Sequence, residues 1–253
     1  MLKSKFIVVI LVSIFFTKAN ASDDVYFNHI AKKMVGDYTS VVLVQLNGSS
    51  NYIKKNKYHL FKGSKNPTLD TYGSIKSKVA KISNQKSDVN AIASVHLLEN
   101  KINRECVIVY KKGISANVIK HEAGHCFTPV RYQFPKFSKS NGSQNYNNYL
   151  NELFADLVAS TISYKLEGTF TYIDQRSLNI KNKGPNAVDY KLAARSFDGL
   201  KSVLVNSKMS DSSHEASIKK MLVAMSEKFP PYTKEEYFEN VKKYNKDLQR
   251  ASR

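Results

Sequence analysis

The sequence His-Glu-Ala-Gly-His at residues 121–125 constrains the fold of this chain more than any other feature. On an α-helix, His121 and His125 lie four residues apart on one face, where both imidazoles can bind the same metal ion. Glu122 then points toward a water bound to that metal and can take its proton. The spacing of the histidines therefore predicts a helix at these residues. Because a catalytic zinc site has three protein ligands and a water, the motif also requires a third ligand from another part of the chain.

Residues 151–156, which read Asn-Glu-Leu-Phe-Ala-Asp, supply the candidate for the third ligand. Glu152 and Asp156 are four residues apart, so they share one face of a helix. The apolar residues around them predict that this helix is anchored in the core and that the two carboxylates line a cleft. The alternative, two acidic residues on a solvated face, fits these apolar neighbours less well. Glu152 is therefore predicted as the third ligand.

The two motifs together resemble the sites of the gluzincin zinc metallopeptidases. The pattern Glu-x-x-Ala-Asp at 152–156 is similar to the form found in prenyl-protease-like and related minimal gluzincins, and the resemblance covers residues 115–159. It implies a zincin-like fold with active-site helices beside a small mixed sheet. It also implies one zinc ion per chain, bound by three residues: His121, His125 and Glu152.

The same resemblance assigns roles to further residues. Glu122 is the general base in this hypothesis, and Asp156 accepts the remaining ring N–H of His121, which fixes the tautomer of that ligand. The oxyanion that forms during peptide hydrolysis usually needs a donor besides the metal. Three residues of the C-terminal part are candidates for this donor, although each also fits a structural role: His214, Tyr190 and Arg195.

Departures from related motifs narrow the class of protein. The metzincins need a glycine and a third histidine after the second histidine, and this chain has Thr128 and Arg131 at those positions. The chain has no nucleotide-binding loop of the kind found in ATP-dependent peptidases, and it lacks the several membrane spans of the prenyl proteases. The resemblance is therefore to a site and not to a known architecture.

Residues 1–21 have the form of a signal peptide. Two lysines precede an apolar run at 6–16, and Ala-Asn-Ala at 19–21 forms a cleavage pattern. A segment that spans a bilayer needs about 20 apolar residues, and this run is shorter. Cleavage is therefore favoured over an uncleaved anchor. We expect an exported protein, periplasmic or secreted, without a transmembrane segment in the mature chain.

The chain is strongly basic, with a formal net charge of +18, and almost all of the excess comes from lysine. Nucleic-acid sites usually combine arginine with clustered aromatic residues, and no such motif is present. We therefore expect no specific nucleic-acid partner and only weak binding to anionic envelope polymers. In an oxidising compartment, Cys106 and Cys126 are expected to form a disulfide that ties a strand to the metal-binding helix. Two buried free thiols are the alternative.

The pattern of apolar residues predicts an α+β fold with a small mixed sheet and a mostly helical C-terminal lobe. Strands are predicted at 40–46, 52–61, 91–98 and 105–110, and helices at 23–35, 70–82 and 115–127. A polar loop is expected at 134–149, followed by further helices. We expect a signal peptide at 1–21, a catalytic lobe at 22–160 and a helical lobe at 161–253, with the two lobes packed as one compact domain.

These features predict an exported zinc metalloendopeptidase that acts on a peptide or protein substrate. Two alternatives remain: a secreted zinc-binding protein without enzymatic activity, and an envelope-binding protein whose Lys-rich surface is its function and whose metal is structural. Glu122 argues against the first, because an idle metal site needs no base. A structural zinc site usually has four protein ligands, often cysteines, and Cys126 directly follows His125, which argues against the second.

Overall fold

The computed structural model describes residues 23–46, 91–97, 104–111, 113–138, 143–181, 188–207 and 213–251. The expected signal peptide at 1–21, the strand at 52–61 and the helix at 70–82 lie outside these residues. The described part of the chain is α+β, with a three-stranded mixed sheet and a larger number of helices around a hydrophobic core.

The sheet has the strand order β1-β3-β2, with β1 at Ser40–Leu46, β2 at Ala91–Leu97 and β3 at Arg104–Lys111. β1 runs parallel to the central strand β3, and β2 runs antiparallel to it. The apolar run from Cys106 to Tyr110 is at most 1 % exposed, as expected for a strand that is covered on both faces. The strands predicted at 40–46, 91–98 and 105–110 are confirmed, with ends that differ by at most one residue.

Helix α1, Asp23–Val35, packs against β1 and against the helix that carries the histidines. Its buried face follows the helical period and includes Phe27, Ile30, Ala31 and Met34. Val25 shares the apolar character of these residues but is 72 % exposed. It precedes Phe27 by two residues, about 200° around the helix, and therefore faces away from the core.

The helix that carries the histidines, α2, spans Ala116–His125 and follows β3 after a turn at Gly113. Gly113 has a φ of +81°, a left-handed conformation that favours glycine. A disulfide joins Cys106 in β3 to Cys126 at the end of α2, and both residues are fully buried. The strand and the helix are therefore fixed to each other beside His125.

Helix α3, Thr128–Arg131, and a 3-10 turn, Pro135–Phe137, lead toward the long helix α4, Gln144–Glu167. The prediction of a loop at 134–149 was wrong for its last residues, because α4 begins at Gln144 and not at Tyr149. Ser143 caps the helix by accepting a hydrogen bond from the backbone of Tyr146. The segment looks polar, but Tyr146 and Tyr149 are buried and their hydroxyls bond to the backbone of Tyr232.

The remaining helices of the described chain are α5 Thr171–Lys181, α6 Val188–Ala194, α7 Phe197–Asn206, α8 His214–Lys228 and α9 Lys234–Ala251. A capping box opens α9, because the side chains of Thr233 and Glu236 each accept a hydrogen bond from the other's backbone N–H. α4 continues through residue 160 and packs against α5 to α9. The expected boundary between two lobes therefore falls inside a helix. In the part of the chain that the structure describes, no helix has an apolar stretch that could cross a bilayer.

Candidate metal centre

The candidate metal ligands are carried by α2 and α4, and these helices approach closely at Gly124. A Cβ atom on Gly124 would lie 2.3 Å from the backbone oxygen of Ala155, which is far inside van der Waals contact. Glycine at this position of the first motif therefore allows the backbone of α2 to rest on the backbone of α4. Glu152 precedes Ala155 by one helical turn, so the close approach brings its carboxylate to the histidines.

Nitrogen and oxygen atoms of His121, His125 and Glu152 converge where the two helices meet. One donor atom from each residue lies within 4.8 Å of the other two. Nε2 of His121 is 3.0 Å from Oε2 of Glu152, and Nε2 of His125 is 3.9 Å from Oε1 of Glu152. The histidines are 4 % and 9 % exposed, and the Glu152 side chain is 19 % exposed. The group is thus shielded from bulk water without being closed.

The donor set and its spacing fit a zinc ion. Two imidazole nitrogens and one carboxylate oxygen form a ligand set of catalytic zinc sites, with bonds of about 2.0–2.2 Å. In a tetrahedral site with such bonds, ligand atoms lie about 3.4 Å apart. Each histidine has one oxygen of Glu152 near this distance: Oε2 lies 3.0 Å from Nε2 of His121, and Oε1 lies 3.9 Å from Nε2 of His125. These three residues can hold a metal ion.

Behind His121, the carboxylate of Asp156 is fully buried and accepts several hydrogen bonds. His121 Nδ1 lies 2.6 Å from Oδ1, and the Tyr172 hydroxyl donates to the same oxygen at 3.1 Å. Arg176 donates from Nε to Oδ1 at 2.8 Å and from Nη2 to Oδ2 at 3.2 Å. Because Nδ1 of His121 is directed at Asp156, Nε2 is the nitrogen that faces Glu152 and the metal position.

The buried charges around Asp156 compensate one another. Burial alone would raise the pKa of Asp156, but the charges of Arg176 and His121 lower it well below its usual range. Burial alone would lower the pKa of Arg176, but the pairing with Asp156 raises it above its usual value. This ion pair therefore stays charged at neutral pH and holds His121 from behind.

Without a metal, the two histidines differ in protonation. Burial and the Arg176 charge lower the pKa of His121, but Asp156 and Glu152 outweigh them and raise it to about 9. Burial lowers the pKa of His125 to about 4. Burial also opposes the ionisation of Glu152, yet the two histidines lower its pKa to about 2. At neutral pH, therefore, His121 is an imidazolium, His125 is neutral and Glu152 is ionised.

Glu122 lies beside this group and is 7 % exposed. Burial is the main reason why its pKa rises to about 7, while His121 and a hydrogen bond from the backbone N–H of Ala93 act in the opposite direction. Ala93 belongs to β2, so this hydrogen bond places β2 next to the carboxyl group. A carboxyl group with a pKa near neutrality can both take up and release a proton, as a general base must.

Among the three candidate oxyanion donors, Tyr190 is the one that the structure brings to the site. Its ring centroid is 6.3 Å from that of His121, and the guanidinium of Arg176 lies 5.2 Å from the Tyr190 ring centroid. Burial raises the pKa of Tyr190 well above its usual value, and the carboxylate of Glu152 adds to the shift. The hydroxyl therefore stays protonated and can donate a hydrogen bond.

The other two candidates are held elsewhere. His214 Nε2 lies 2.8 Å from the backbone oxygen of Lys33, where the start of α8 meets the end of α1. Arg195 donates to the Tyr232 hydroxyl and to Oδ1 of Asn240. Within the described residues, neither side chain has a hydrogen bond, ion pair or ring contact with a member of the metal group. The structure gives both residues a role in joining helices.

Sequence reasoning missed Arg176 and Tyr172, which lie four residues apart on α5 and share the face that meets Asp156. The composition gave one indication of a specific role for Arg176, because only six of the 39 basic residues are arginine. Arginine is favoured where a carboxylate needs a planar partner with several donors. Ala93 had no signal at all, because its contribution comes from a backbone N–H.

Arg131, which stands where a metzincin has its third histidine, bonds to a neighbour of the metal group. It is 1 % exposed, and its Nη1 donates to Oδ1 of Asn151 at 3.0 Å. Its guanidinium also lies 6.0 Å from the centroid of the Phe154 ring. Arg131 thus ties α3 to α4 next to Glu152 and takes no part in the ligand set.

Comparisons with family models, with curated proteins and with solved structures found no match for the chain. A function has to be argued from the site itself. The strongest observations for this purpose are the helix contact at Gly124, the His-His-Glu group and the buried carboxyl group of Glu122.

Proposed function

We propose that this chain is a zinc-dependent metallopeptidase of the gluzincin type with a zincin-like fold. The observation that carries the proposal is the convergence of His121, His125 and Glu152 beside the buried carboxyl group of Glu122. Three such ligands leave a position for water or substrate, whereas structural zinc sites are usually closed by four protein ligands. A zinc site without chemistry has no need of a base at this position.

Zinc held by these residues would act as a Lewis acid toward a peptide carbonyl and would make a water molecule more acidic. The carboxylate of Glu122 would take up a proton from this water molecule and deliver it to the leaving amine. The N–H of Ala93 keeps this carboxylate in position. Asp156 holds the Nδ1 proton of His121, so that Nε2 serves as the ligand atom.

In this proposal, an extended peptide substrate lies along β2. One edge of β2 pairs with β3, and the other edge has no partner strand among the described residues. The hydrogen bond from Ala93 to Glu122 supports this path, because it brings β2 next to the Glu122 carboxyl group. A peptide that adds to this free edge through main-chain hydrogen bonds would run next to the metal group.

Tyr190 is our proposed donor to the oxyanion. Its hydroxyl is protonated at neutral pH, and the nearby Arg176 adds positive potential. Its side chain comes from α6. One preorganised donor of this kind lowers the barrier by about 2.7–4 kcal/mol in other hydrolases.

We also propose that the protein is exported and meets its peptide or protein substrate in the periplasm or outside the cell. The form of residues 1–21 supports export. The disulfide between Cys106 and Cys126 supports it independently, because disulfides persist in oxidising compartments. The excess of lysine supports weak binding to anionic envelope polymers as a property of the surface.

Glu122→Gln is the variant that tests this function. It should bind one zinc ion per chain, as the wild type does, and should not hydrolyse a peptide library that the wild type cleaves. A chelator should abolish wild-type hydrolysis and added zinc should restore it, while His121→Ala should lose the metal. Full activity of Glu122→Gln would contradict the role of the base. A wild-type protein that binds zinc and cleaves no peptide would favour the non-enzymatic alternative.

A further inference from the structure

A groove of about 690 Å³ lies between α5, α6 and α7, apart from the metal centre. Along α5, Asp174, Leu178 and Lys181 recur at intervals of four and three residues and line this groove. Tyr172 and Arg176 lie on the face of the same helix that meets the metal centre. The same short helices therefore support the metal centre on one side and form a separate groove on another.

The walls of the groove carry an excess of positive charge. Among the described residues, four cations and two carboxylates line it, which leaves a net charge of +2 (4 minus 2). These side chains are Lys181, Lys191, Arg195, Lys201, Asp174 and Asp198. The excess favours a ligand that carries negative charge.

Three of these cations form no ion pair with a carboxylate of the described residues. Lys201 forms an ion pair with Asp174 at 2.6 Å. Lys191 and Arg195 donate to uncharged oxygens, a tyrosine hydroxyl and, for Arg195, also an asparagine amide. Lys181 is exposed and has no ion pair within the described part of the chain. Because Asp198 offsets one of these three charges, Lys181, Lys191 and Arg195 leave the net charge of +2 for a ligand.

The floor of the groove is apolar. Ile180 and Phe197 are each 2 % exposed and close the bottom, and Ala194 lies beside them. Leu178 stands at the rim and is 60 % exposed, so its apolar surface is open to a ligand. An exposed leucine among cations that form no ion pair within the described residues suits a ligand that has both apolar and anionic groups.

We propose that this groove binds an acidic segment of the protein substrate, in which carboxylates alternate with apolar side chains. The carboxylates would pair with Lys181, Lys191 and Arg195, and an apolar side chain would cover Leu178. A polyanion without apolar side chains would leave this surface in water, so a peptide fits the groove better. The identification of the segment as substrate rests on the proposed peptidase function. Lys191 directly follows Tyr190 on α6, so a segment bound here would lie near the metal centre.

Binding can be measured apart from hydrolysis with zinc-loaded Glu122→Gln protein and fluorescence anisotropy. The probe is a labelled peptide of about a dozen residues in which Glu or Asp alternates with Leu or Phe. One control peptide has Lys at every acidic position, and the other has Ser at every apolar position. The acidic, apolar peptide should bind about tenfold more tightly than either control, and its affinity should fall as salt is added.

Charge reversal locates the binding surface. Lys181→Glu combined with Lys191→Glu should weaken binding of the probe by about tenfold or more. The matched control is Lys242→Glu combined with Lys246→Glu, which makes the same change of charge on an exposed face of α9. Equal losses in the two double variants would overturn the proposal. If the first double variant does not fold, Lys181→Glu alone keeps the test intact, because its side chain is exposed.

Two further results separate a peptide from an anionic polymer as the occupant. Tight binding of the Ser-substituted peptide would mean that the apolar floor is not used, and would overturn the proposed peptide segment. Displacement of the probe by polyphosphate at a much lower concentration than by unlabelled probe would also overturn it. Displacement by the unlabelled acidic peptide alone would support it.

The groove and the proposed peptidase function can fail independently. In a protein that keeps Glu122, Lys181→Glu combined with Lys191→Glu (the groove variant) should have a higher KM than the wild type for a substrate that contains the acidic segment. Its kcat for this substrate should be unchanged. It should also leave hydrolysis of a short peptide without that segment unchanged. If the wild type cleaves nothing but the probe binds in the groove, the peptidase proposal fails and the binding site stands. If the wild type cleaves peptides and the groove variant alters neither binding nor KM, the groove proposal fails alone.

Discussion

The carbonyl oxygen of Ala155 lies against the α-carbon of Gly124, and this contact sets the distance between the two helices that carry the candidate metal ligands. A methyl group on residue 124 would come 2.3 Å from that oxygen, so the helices would have to move apart by about an ångström to admit it. Such a movement would carry Glu152 away from His121 and His125. The spacing of the ligand atoms therefore depends on the absence of a side chain.

Gly124→Ala is expected to destabilise the protein and to weaken metal binding. In the interior of an exposed helix this substitution normally stabilises by up to about 1 kcal/mol. Here we expect the opposite sign, with a loss of about 1–3 kcal/mol from overpacking. Urea unfolding of the metal-free protein measures the first effect, and competition with a zinc indicator measures the second. A more stable variant with unchanged zinc affinity would show that the helix contact does not limit the site.

Arg176→Gln should weaken zinc binding about 10–100-fold, although Arg176 is not a ligand. Arg176 lowers the pKa of His121 and pairs with Asp156. Without Arg176, the proton on His121 is held more firmly and competes better with the metal. Arg195→Gln is the matched control, because Arg195 bonds to Tyr232 and Asn240.

The Arg176→Gln experiment needs two readouts. NMR titration of the His121 ring should show a pKa above that of the wild type, and circular dichroism should show that the variant is folded. Weaker zinc binding without a change in the His121 titration would mean that Arg176 acts through packing.

Tyr190→Phe should lower kcat about 10²–10³-fold and leave zinc content and KM nearly unchanged. The phenyl ring preserves the contact with His121 and the stacking against Arg176, while the donor is lost. Steady-state kinetics on a cleaved peptide, together with metal analysis, separates the two effects. Wild-type kcat in this variant would remove Tyr190 from the mechanism.

Zinc affinity should increase with pH between about pH 4 and pH 9. In this range His125 is neutral, because its pKa is about 4, and Glu152 is ionised, because its pKa is about 2. His121, with a pKa of about 9, carries a proton that zinc must displace. The displacement of one proton makes the apparent affinity about tenfold higher for each pH unit.

Isothermal titration in buffers of different ionisation enthalpy counts the protons that zinc displaces. The Glu122→Gln background removes the contribution of Glu122, whose pKa is about 7. We expect one proton per zinc ion at pH 7 in that background. A count near zero would mean that His121 is neutral before the metal binds.

Replacement of Cys106 and Cys126 by serine should lower the free energy of unfolding by about 3 kcal/mol, as expected for a closed loop of about 20 residues. Because the crosslink is adjacent to His125, zinc should also dissociate faster from this variant. Urea unfolding and the rate of zinc transfer to a chelator measure the two effects. Urea unfolding of the same double variant at saturating zinc shows how much of the lost stability the bound ion restores.

The spacing of the two motifs predicted their local geometry, because residues four apart on a helix share a face whatever the surrounding fold. His121 with His125, and Glu152 with Asp156, are such pairs. Their convergence depends on a helix contact, and the only sequence sign of this contact is Gly124. The apolar face of α8 was equally predictable, since Ile218, Met221, Leu222 and Met225 are all buried.

What the sequence could not predict depends on contacts between distant elements. The order and direction of the strands depend on which strands pair with each other. The periodicity of apolar residues does not reveal this pairing. The start of α4 was missed because Tyr146 and Tyr149 reach the backbone of Tyr232, which lies more than 80 residues further along the chain. The partners of Asp156 come from a separate helix, and their spacing has meaning only once that helix is placed against α4.

Asp156 takes two of its three partners, Tyr172 and Arg176, from chain that follows residue 160. A fragment that ended there would contain every predicted ligand and would leave a fully buried carboxylate without its cation. That carboxylate would have to acquire a proton or draw in water, and either change would release the imidazole that it orients. A shortened form of this chain that keeps the geometry of the candidate metal centre must therefore include α5 as well as the two helices that carry the candidate ligands.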